Sequence, residues 1–138
     1  YKDIKMADGS TVMARSIILS TGVSYHKLEN ESLDKFTGAG VYYGAATTEA
    51  YAFKDKPVYV VGGGNSAGQG AMYLSRTASE VFICIRRPDL SETMSQYLID
   101  QIEKQPNINV VPFTEVVGAE GEERLTALRL RDCQTGEE

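Results

Sequence analysis

Val58-Tyr59-Val60-Val61-Gly62-Gly63-Gly64-Asn65-Ser66-Ala67 passes from four apolar residues directly into a glycine cluster. A short continuous apolar run bounded by Pro57 and Gly62 reads as a strand covered on both faces. The segment after the cluster, from Asn65 to Ala78, places Ala67, Ala71, Leu74 and Ala78 at spacings of three and four, the repeat of a buried helix face. The cluster itself satisfies G-x-G-x-x-A at a strand-to-helix junction. In such a turn Gly62 permits the tight reversal, and Gly64 has no Cβ to hold a pyrophosphate off the backbone. Ala67 is small enough for the helix to pack close to the strand. The start of the helix offers unpaired N–H groups and a partial positive charge. The reading is therefore a dinucleotide site built on Gly62, Gly63, Gly64, Asn65, Ser66 and Ala67. The plainer alternative is a glycine-rich turn that serves only helix–sheet packing.

Downstream, Val81–Ile85 reads as a second buried strand, and a second helix is expected with Ser91 as its N-cap and Met94, Tyr97, Leu98 and Ile102 along one side. Pro106 and Asn107 end it, and Ile108–Val111 gives a third strand. Val116-Val117 and Leu125–Leu130 then flank the polar turn at Glu120–Glu123, and Leu128-Arg129-Leu130-Arg131 alternates as in a hairpin with one wet face. The order β-α-β-α-β followed by a hairpin predicts an α/β fold. Its expected form is a Rossmann-like parallel sheet with helices on both faces and a C-terminal antiparallel hairpin.

Upstream, Asp8-Gly9 predicts a type I′ turn joining strands at Lys2–Met6 and Thr11–Ala14. Ser16-Ile17-Ile18-Leu19-Ser20 reads as a separate buried strand stopping at Thr21-Gly22. Residues 23–56 hold no sustained period; a short strand at Val41-Tyr42-Tyr43 and a turn of helix near Thr48–Phe53 are expected within a segment that crosses between two bodies.

Composition narrows the functional classes. The chain has 138 residues, 42% of them hydrophobic and 24% charged, with a net charge of −5. A basic nucleic-acid footprint is not expected, and no apolar run approaches the ~18 residues of a membrane span. The first residue is Tyr1 rather than Met, which suggests a piece of something longer. Cys84 and Cys133 form no C-x-x-C, and with the lone His26 they cannot supply a four-ligand metal site. Cys84, inside Val81–Ile85, reads as a small buried thiol; the cysteine usage suits a reducing cytoplasm.

The end of the second strand in such a fold selects between dinucleotides. An acidic residue there binds the ribose 2′-hydroxyl, whereas arginine accommodates a 2′-phosphate. The sequence has Arg86-Arg87 at that place, with no carboxylate before Asp89. The planar guanidinium fork suits phosphate, so NADPH is the expected cofactor; the alternative is a pair of solvated surface arginines.

Four stretches taken in order resemble the thioredoxin reductase family: Ala14-Arg15-Ser16-Ile17-Ile18-Leu19-Ser20-Thr21-Gly22, Gly40-Val41-Tyr42-Tyr43, Val60-Val61-Gly62-Gly63-Gly64-Asn65-Ser66-Ala67, and Arg86-Arg87. The resemblance covers nearly the whole chain. It implies an FAD domain interrupted by an inserted NADPH domain. Residues 1–22 are then the C-terminal piece of the FAD domain, residues 23–56 the crossing and entry to the insertion, and residues 57–138 the NADPH-binding domain. FAD is expected only in the full-length protein, with hydride passing to it from NADPH. The family is also commonly dimeric, so a homodimer is a possible state.

The departures are informative. The family's redox C-x-x-C follows the G-V-x-Y segment, and Gly44-Ala45-Ala46-Thr47 stands there instead. Dithiol–disulfide exchange needs a thiolate, so this chain lacks the family's usual chemistry. Gln69-Gly70 replaces an acidic pair, and Ser91 stands where a third arginine is common. The nearest resemblance is to relatives without the cysteines, whose electrons leave to an unidentified acceptor such as a ferredoxin-like protein, a quinone or a separate thiol partner. No catalytic acid or base is assigned and none is needed for hydride transfer. A second reading from another class is an NADP(H)-binding regulatory or sensor module without turnover.

Overall fold

A computed structural model describes residues 1–22, 24–44 and 52–138. Its centre is the parallel sheet β3 (Pro57–Val61), β4 (Glu80–Cys84) and β5 (Ile108–Val111), in that order. Val58 aligns with Val81 and Val81 with Ile108, while Val60 aligns with Ile83 and Ile83 with Val110. Of these, Val58, Val60, Val81, Ile83 and Ile108 share a core with both crossover helices, α2 (Asn65–Leu74) and α3 (Gln96–Ile102), while Val110 on the edge strand is exposed. Ala71, Val81, Ile83, Met94, Leu98 and Ile102 are all buried there. Both crossovers advance in one direction, so both helices fall on one face. The expected cover of helices is thus seen, among the described residues, on that face. The opposite face carries Tyr59 stacked on Phe82, with ring centroids 4.8 Å apart.

The helix ends differ from the sequence expectation for local reasons. The first crossover helix stops at Leu74 rather than Ala78. Ser75 Oγ donates to the Met72 carbonyl, and Asn107 Nδ2 donates to the Ser75 carbonyl at 2.8 Å and the Ala78 carbonyl at 3.3 Å. These bonds satisfy carbonyls that a continuing helix would occupy. The second helix is capped by Ser95, not Ser91. Asp89 accepts both the Ser91 N–H and its hydroxyl, which closes a local turn and leaves Ser91 outside the helix. Tyr97 accordingly points outward, while Met94, Leu98 and Ile102 keep the core face.

A second small core joins distant parts of the chain. The hairpin β6 (Thr114–Gly121) and β7 (Leu125–Asp132) is antiparallel with register shifts at Val116/Gly118 and Glu120/Gly121. Against it packs α1 (Glu31–Asp34), which buries Leu33, with Phe36 following it. Asn30 is the clip. Its Oδ1 accepts the Ser32 N–H at the start of the helix, while its Nδ2 donates to the Val117 carbonyl at 2.8 Å. Ser32 Oγ in turn accepts the Ala119 N–H at 3.0 Å. Gly40 belongs to the same contact: it lies at φ +138, and a Cβ there would stand 2.3 Å from Leu125 Cβ. The expected strand at Val41–Tyr43 reduces to a single parallel bridge between Thr37 and Val41. The helical turn expected near Thr48–Phe53 lies mainly outside the described residues.

The N-terminal hairpin pairs β1 (Lys2–Lys5) with β2 (Thr11–Ala14), and among the described residues neither strand pairs with any other. Its turn is not type I′. Gly9 alone has positive φ, at +85, and its N–H donates to the Met6 carbonyl. One left-handed glycine after an ordinary turn suffices when the loop is a residue longer than the two-residue form. The expected buried strand Ser16–Ser20 is absent: Ile18 is 91% and Leu19 85% exposed. A strand exists through its neighbour's hydrogen bonds, and no described strand lies beside this one. No helix among the described residues is long and apolar enough to cross a membrane.

The Asn30 clip yields a graded test. Asn30→Ala removes both the cap and the link to β6 and is expected to cost about 1–2 kcal/mol in urea unfolding. Asn30→Ser keeps a capping oxygen but lacks the amide donor to Val117, so its loss is expected to be smaller. Equal losses for the two variants would place the whole effect in the link to Val117.

Candidate functional site: the glycine loop and the end of the second parallel strand

The glycine loop leaves the carboxyl end of β3. Gly62 lies at φ +125, where side chains are strained, and its N–H donates to the Cys84 carbonyl at 3.1 Å. A Cβ on Gly63 would lie 3.2 Å from Ile85 Cγ2 and 3.3 Å from Thr93 Oγ1. The loop is thus pressed against the end of β4. Gly64 is the N-cap of α2, in extended conformation, and a Cβ there would meet nothing within 4 Å. The first main-chain bond of the helix runs from Gly68 N–H to the Gly64 carbonyl at 3.1 Å. Among the described residues, the N–H groups of Gly63, Gly64, Asn65, Ser66 and Ala67 have no acceptor. They form a row of donors beside the open space at Gly64, at the positive end of a ten-residue helix.

Two hydrogen bonds hold this loop to the entry of α3. Thr93 Oγ1 donates to the Gly63 carbonyl at 2.8 Å, and the Ser95 N–H donates to Asn65 Oδ1 at 2.8 Å. The side-chain oxygen of Asn65 is therefore spent on the protein, leaving its main-chain N–H for a ligand. Behind the loop, Gly68 sets the distance between helices: a Cβ there would stand 2.6 Å from Leu98 Cδ2 and 2.8 Å from Met94 Sδ. Sequence reasoning assigned close packing to Ala67 and missed Gly68, Thr93 and Ser95. A glycine inside a helical pattern was the available signal for the first. The other two bonds join residues 30 positions apart, and no local pattern announces them.

Arg86 and Arg87 follow Ile85, the residue that abuts Gly63, so strand pairing brings them to the loop's side of the sheet. Both are exposed. Arg87 Nη1 makes an ion pair with Glu92 Oε2, and the main-chain carbonyl of Arg87 accepts the Phe113 N–H. Arg86 makes no ion pair with any described residue. Asp89 lies just beyond. The Ser91 hydroxyl and then the Ser91 N–H, both donating to its carboxylate, hold it below the usual carboxylate range.

Cys84 adjoins the glycine loop through its main-chain carbonyl, which accepts the Gly62 N–H. Burial pushes the Cys84 thiol up to about 11, and Cys133 is exposed; neither is in a disulfide. Gly44, the first of the two positions where thiols are expected in the resembled pattern, lies at φ +131, a conformation that suits glycine. Thr47, the second, lies outside the described residues. Among the described residues, no three His, Cys, Asp or Glu side chains gather in a way that could hold a metal ion.

A parallel sheet entered through a glycine loop, with an antiparallel hairpin behind it, matches a defined class. The sequence pattern of the family described as pyridine nucleotide-disulphide oxidoreductase spans residues 1–138. The thioredoxin reductase of Streptomyces clavuligerus is 37% identical over 136 residues, covering 99% of this chain and 41% of that protein. The crystal structure of Lactococcus lactis thioredoxin reductase superposes with a TM-score of 0.79 at 28% identity, covering 99% of this chain and 44% of that one. A ferredoxin-flavin thioredoxin reductase from Clostridium acetobutylicum is similar over 76% of this chain and 32% of its own, with 28% identity and a TM-score of 0.55. The chain belongs to the pyridine nucleotide-disulphide oxidoreductases, within the thioredoxin reductase family. It spans about two fifths of the length of the curated relatives it matches.

The buried thiol gives a pH test with a definite sign. Cys84 holds its proton more tightly folded than at its ordinary value near 9, so stability is expected to fall as pH rises from 9 to 11. Cys84→Ala should flatten that part of the profile in thermal unfolding. At neutral pH iodoacetamide is expected to modify Cys133 and spare Cys84 until the protein unfolds. Early labelling of Cys84 in mass spectrometry contradicts its inert role.

Proposed function

We propose that this chain is the NADPH-binding part of a thioredoxin reductase-like flavoprotein that delivers hydride from NADPH to FAD without an internal redox disulfide. The observation that carries this reading is the row of N–H groups from Gly63 to Ala67, without an acceptor among the described residues, beside the open space at Gly64. Those residues fit a pyrophosphate: main-chain donors without acceptors among the described residues stand at a helix start, and Gly64 there has no Cβ in the way. Arg86, free of any ion pair with a described residue, and Arg87 beyond it fit a 2′-phosphate at the end of β4. NADPH supplies the hydride and FAD accepts it; the chain binds and orients, and no acid or base of its own is required.

The same reading divides the chain. Residues 57–138 form the cofactor-binding unit. Residues 1–22, with Ile18 and Leu19 bare, belong to the FAD domain, whose remaining strands are the natural cover for them. Residues 23–56 cross between the two, anchored by the packing of α1 on β6. Glycine at position 44 and threonine at 47 favour an acceptor outside the chain. The ferredoxin-flavin relative is an instance in which the name itself couples a flavin to ferredoxin. A cytoplasmic location and a homodimeric state are consistent with this reading.

In the full-length protein, anaerobic NADPH is expected to bleach the flavin absorbance. Binding without bleaching supports the sensor reading instead, and no binding overturns both. Arg86→Ala with Arg87→Ala is expected to weaken NADPH about 10- to 100-fold and NADH little. Gly64→Ala should cost no more than about 1 kcal/mol of stability, the penalty of alanine at an N-cap, since its methyl meets no protein atom within 4 Å. It is nonetheless expected to weaken both cofactors about tenfold.

A further inference from the structure

We infer that Glu92 is a specificity-determining residue: by pairing with Arg87 it withholds one of the two guanidinium groups from the 2′-phosphate and lowers the discrimination between NADPH and NADH. The inference rests on the proposed cofactor site. Arg87 and Glu92 are joined by an ion pair, with side chains 51% and 59% exposed, so the pair is accessible to solvent and to a competing anion. The main chain on both sides of Glu92 is tied down. Its neighbour Thr93 donates to the Gly63 carbonyl, and the Ser95 N–H two residues on donates to Asn65, so residues 92–95 lie along the rim of the glycine loop. On the other side, Asp89 and Ser91 close the turn that carries the chain from the arginines to Glu92. A carboxylate held at this rim does two things to a bound dinucleotide. It competes with the 2′-phosphate for Arg87, and it repels the added charge of that phosphate. NADH, with a hydroxyl in place of the phosphate, feels neither effect strongly. The free arginine at the site is then Arg86, and selectivity rests on it more than on its neighbour.

Exposed ion pairs are weak, so the effect is modest and measurable. In the full-length protein Glu92→Gln is expected to lower the Kd for NADPH about two- to fivefold and to leave that for NADH unchanged. With Arg87→Ala already present, the gain from Glu92→Gln should shrink, because the competing pair no longer exists. Adenosine 2′,5′-bisphosphate and AMP, titrated in parallel, are expected to reproduce the NADPH and NADH responses. A Glu92→Gln variant that shifts both dinucleotides equally, or neither, overturns the role of Glu92 while leaving the cofactor site standing. Wild-type protein that binds neither dinucleotide overturns the site and this role together.

Discussion

The turn at Gly62 is the constraint on which the rest depends. Its N–H still belongs to the sheet, bonded to the Cys84 carbonyl, while its φ of +125 has already turned the chain away from β3. Only from that point can the next residues start a helix directly above the strand end. The same step presses Gly63 against Ile85 and leaves Gly64 facing open space. A residue with a side chain at position 62 faces an unfavourable backbone conformation, and one at 63 meets β4 and Thr93. The donors at the head of α2 are thus a consequence of how strand, loop and helix are joined. They need no side chain of their own.

Around that turn, much of the architecture was legible in local pattern. The apolar runs at Val58–Val61, Val81–Ile85 and Ile108–Val111 became the three parallel strands, because buried strands leave continuous hydrophobic signatures. The β6–β7 hairpin followed its alternation. Misreadings arose where a residue's partner is distant. Ser91 looked like a helix cap until Asp89 took both its donors. Asn30, the cap that does form, sat in a charged stretch with no period, and its second bond reaches Val117. Ser16–Ser20 carries the composition of a buried strand, yet composition expresses a preference for a neighbour that the described part of this chain does not provide. The glycine motif and arginine pair were visible as residues. The clamps on them, Thr93 and Ser95, were not, because hydroxyls and main-chain N–H groups carry no positional signature until the fold brings them together.

The second core gives the crossing segment a definite attachment. Leu33 and Phe36 pack under Ala119 and its neighbours, and the Asn30–Ser32 pair supplies polar partners to the edge of β6. An edge strand with unpaired main-chain groups is a liability, and here a helix cap satisfies part of it. The thiols are equally informative by their placement. Cys84 lies under the sheet end with its proton held tightly, and glycine at 44 occupies a conformation that disfavours cysteine. Under the proposed function the redox chemistry rests on dinucleotide and flavin, and the contribution of the chain is electrostatic and geometric.

The central claim is that the main-chain N–H groups from Gly63 to Ala67 hold a pyrophosphate. Amide hydrogen exchange resolved to single residues tests it most directly, comparing the full-length protein with and without saturating NADPH. Marked protection of those amides on adding the cofactor, with the interior of β5 unchanged, is the result this account predicts. NADPH binding that leaves them exchanging as before would contradict it.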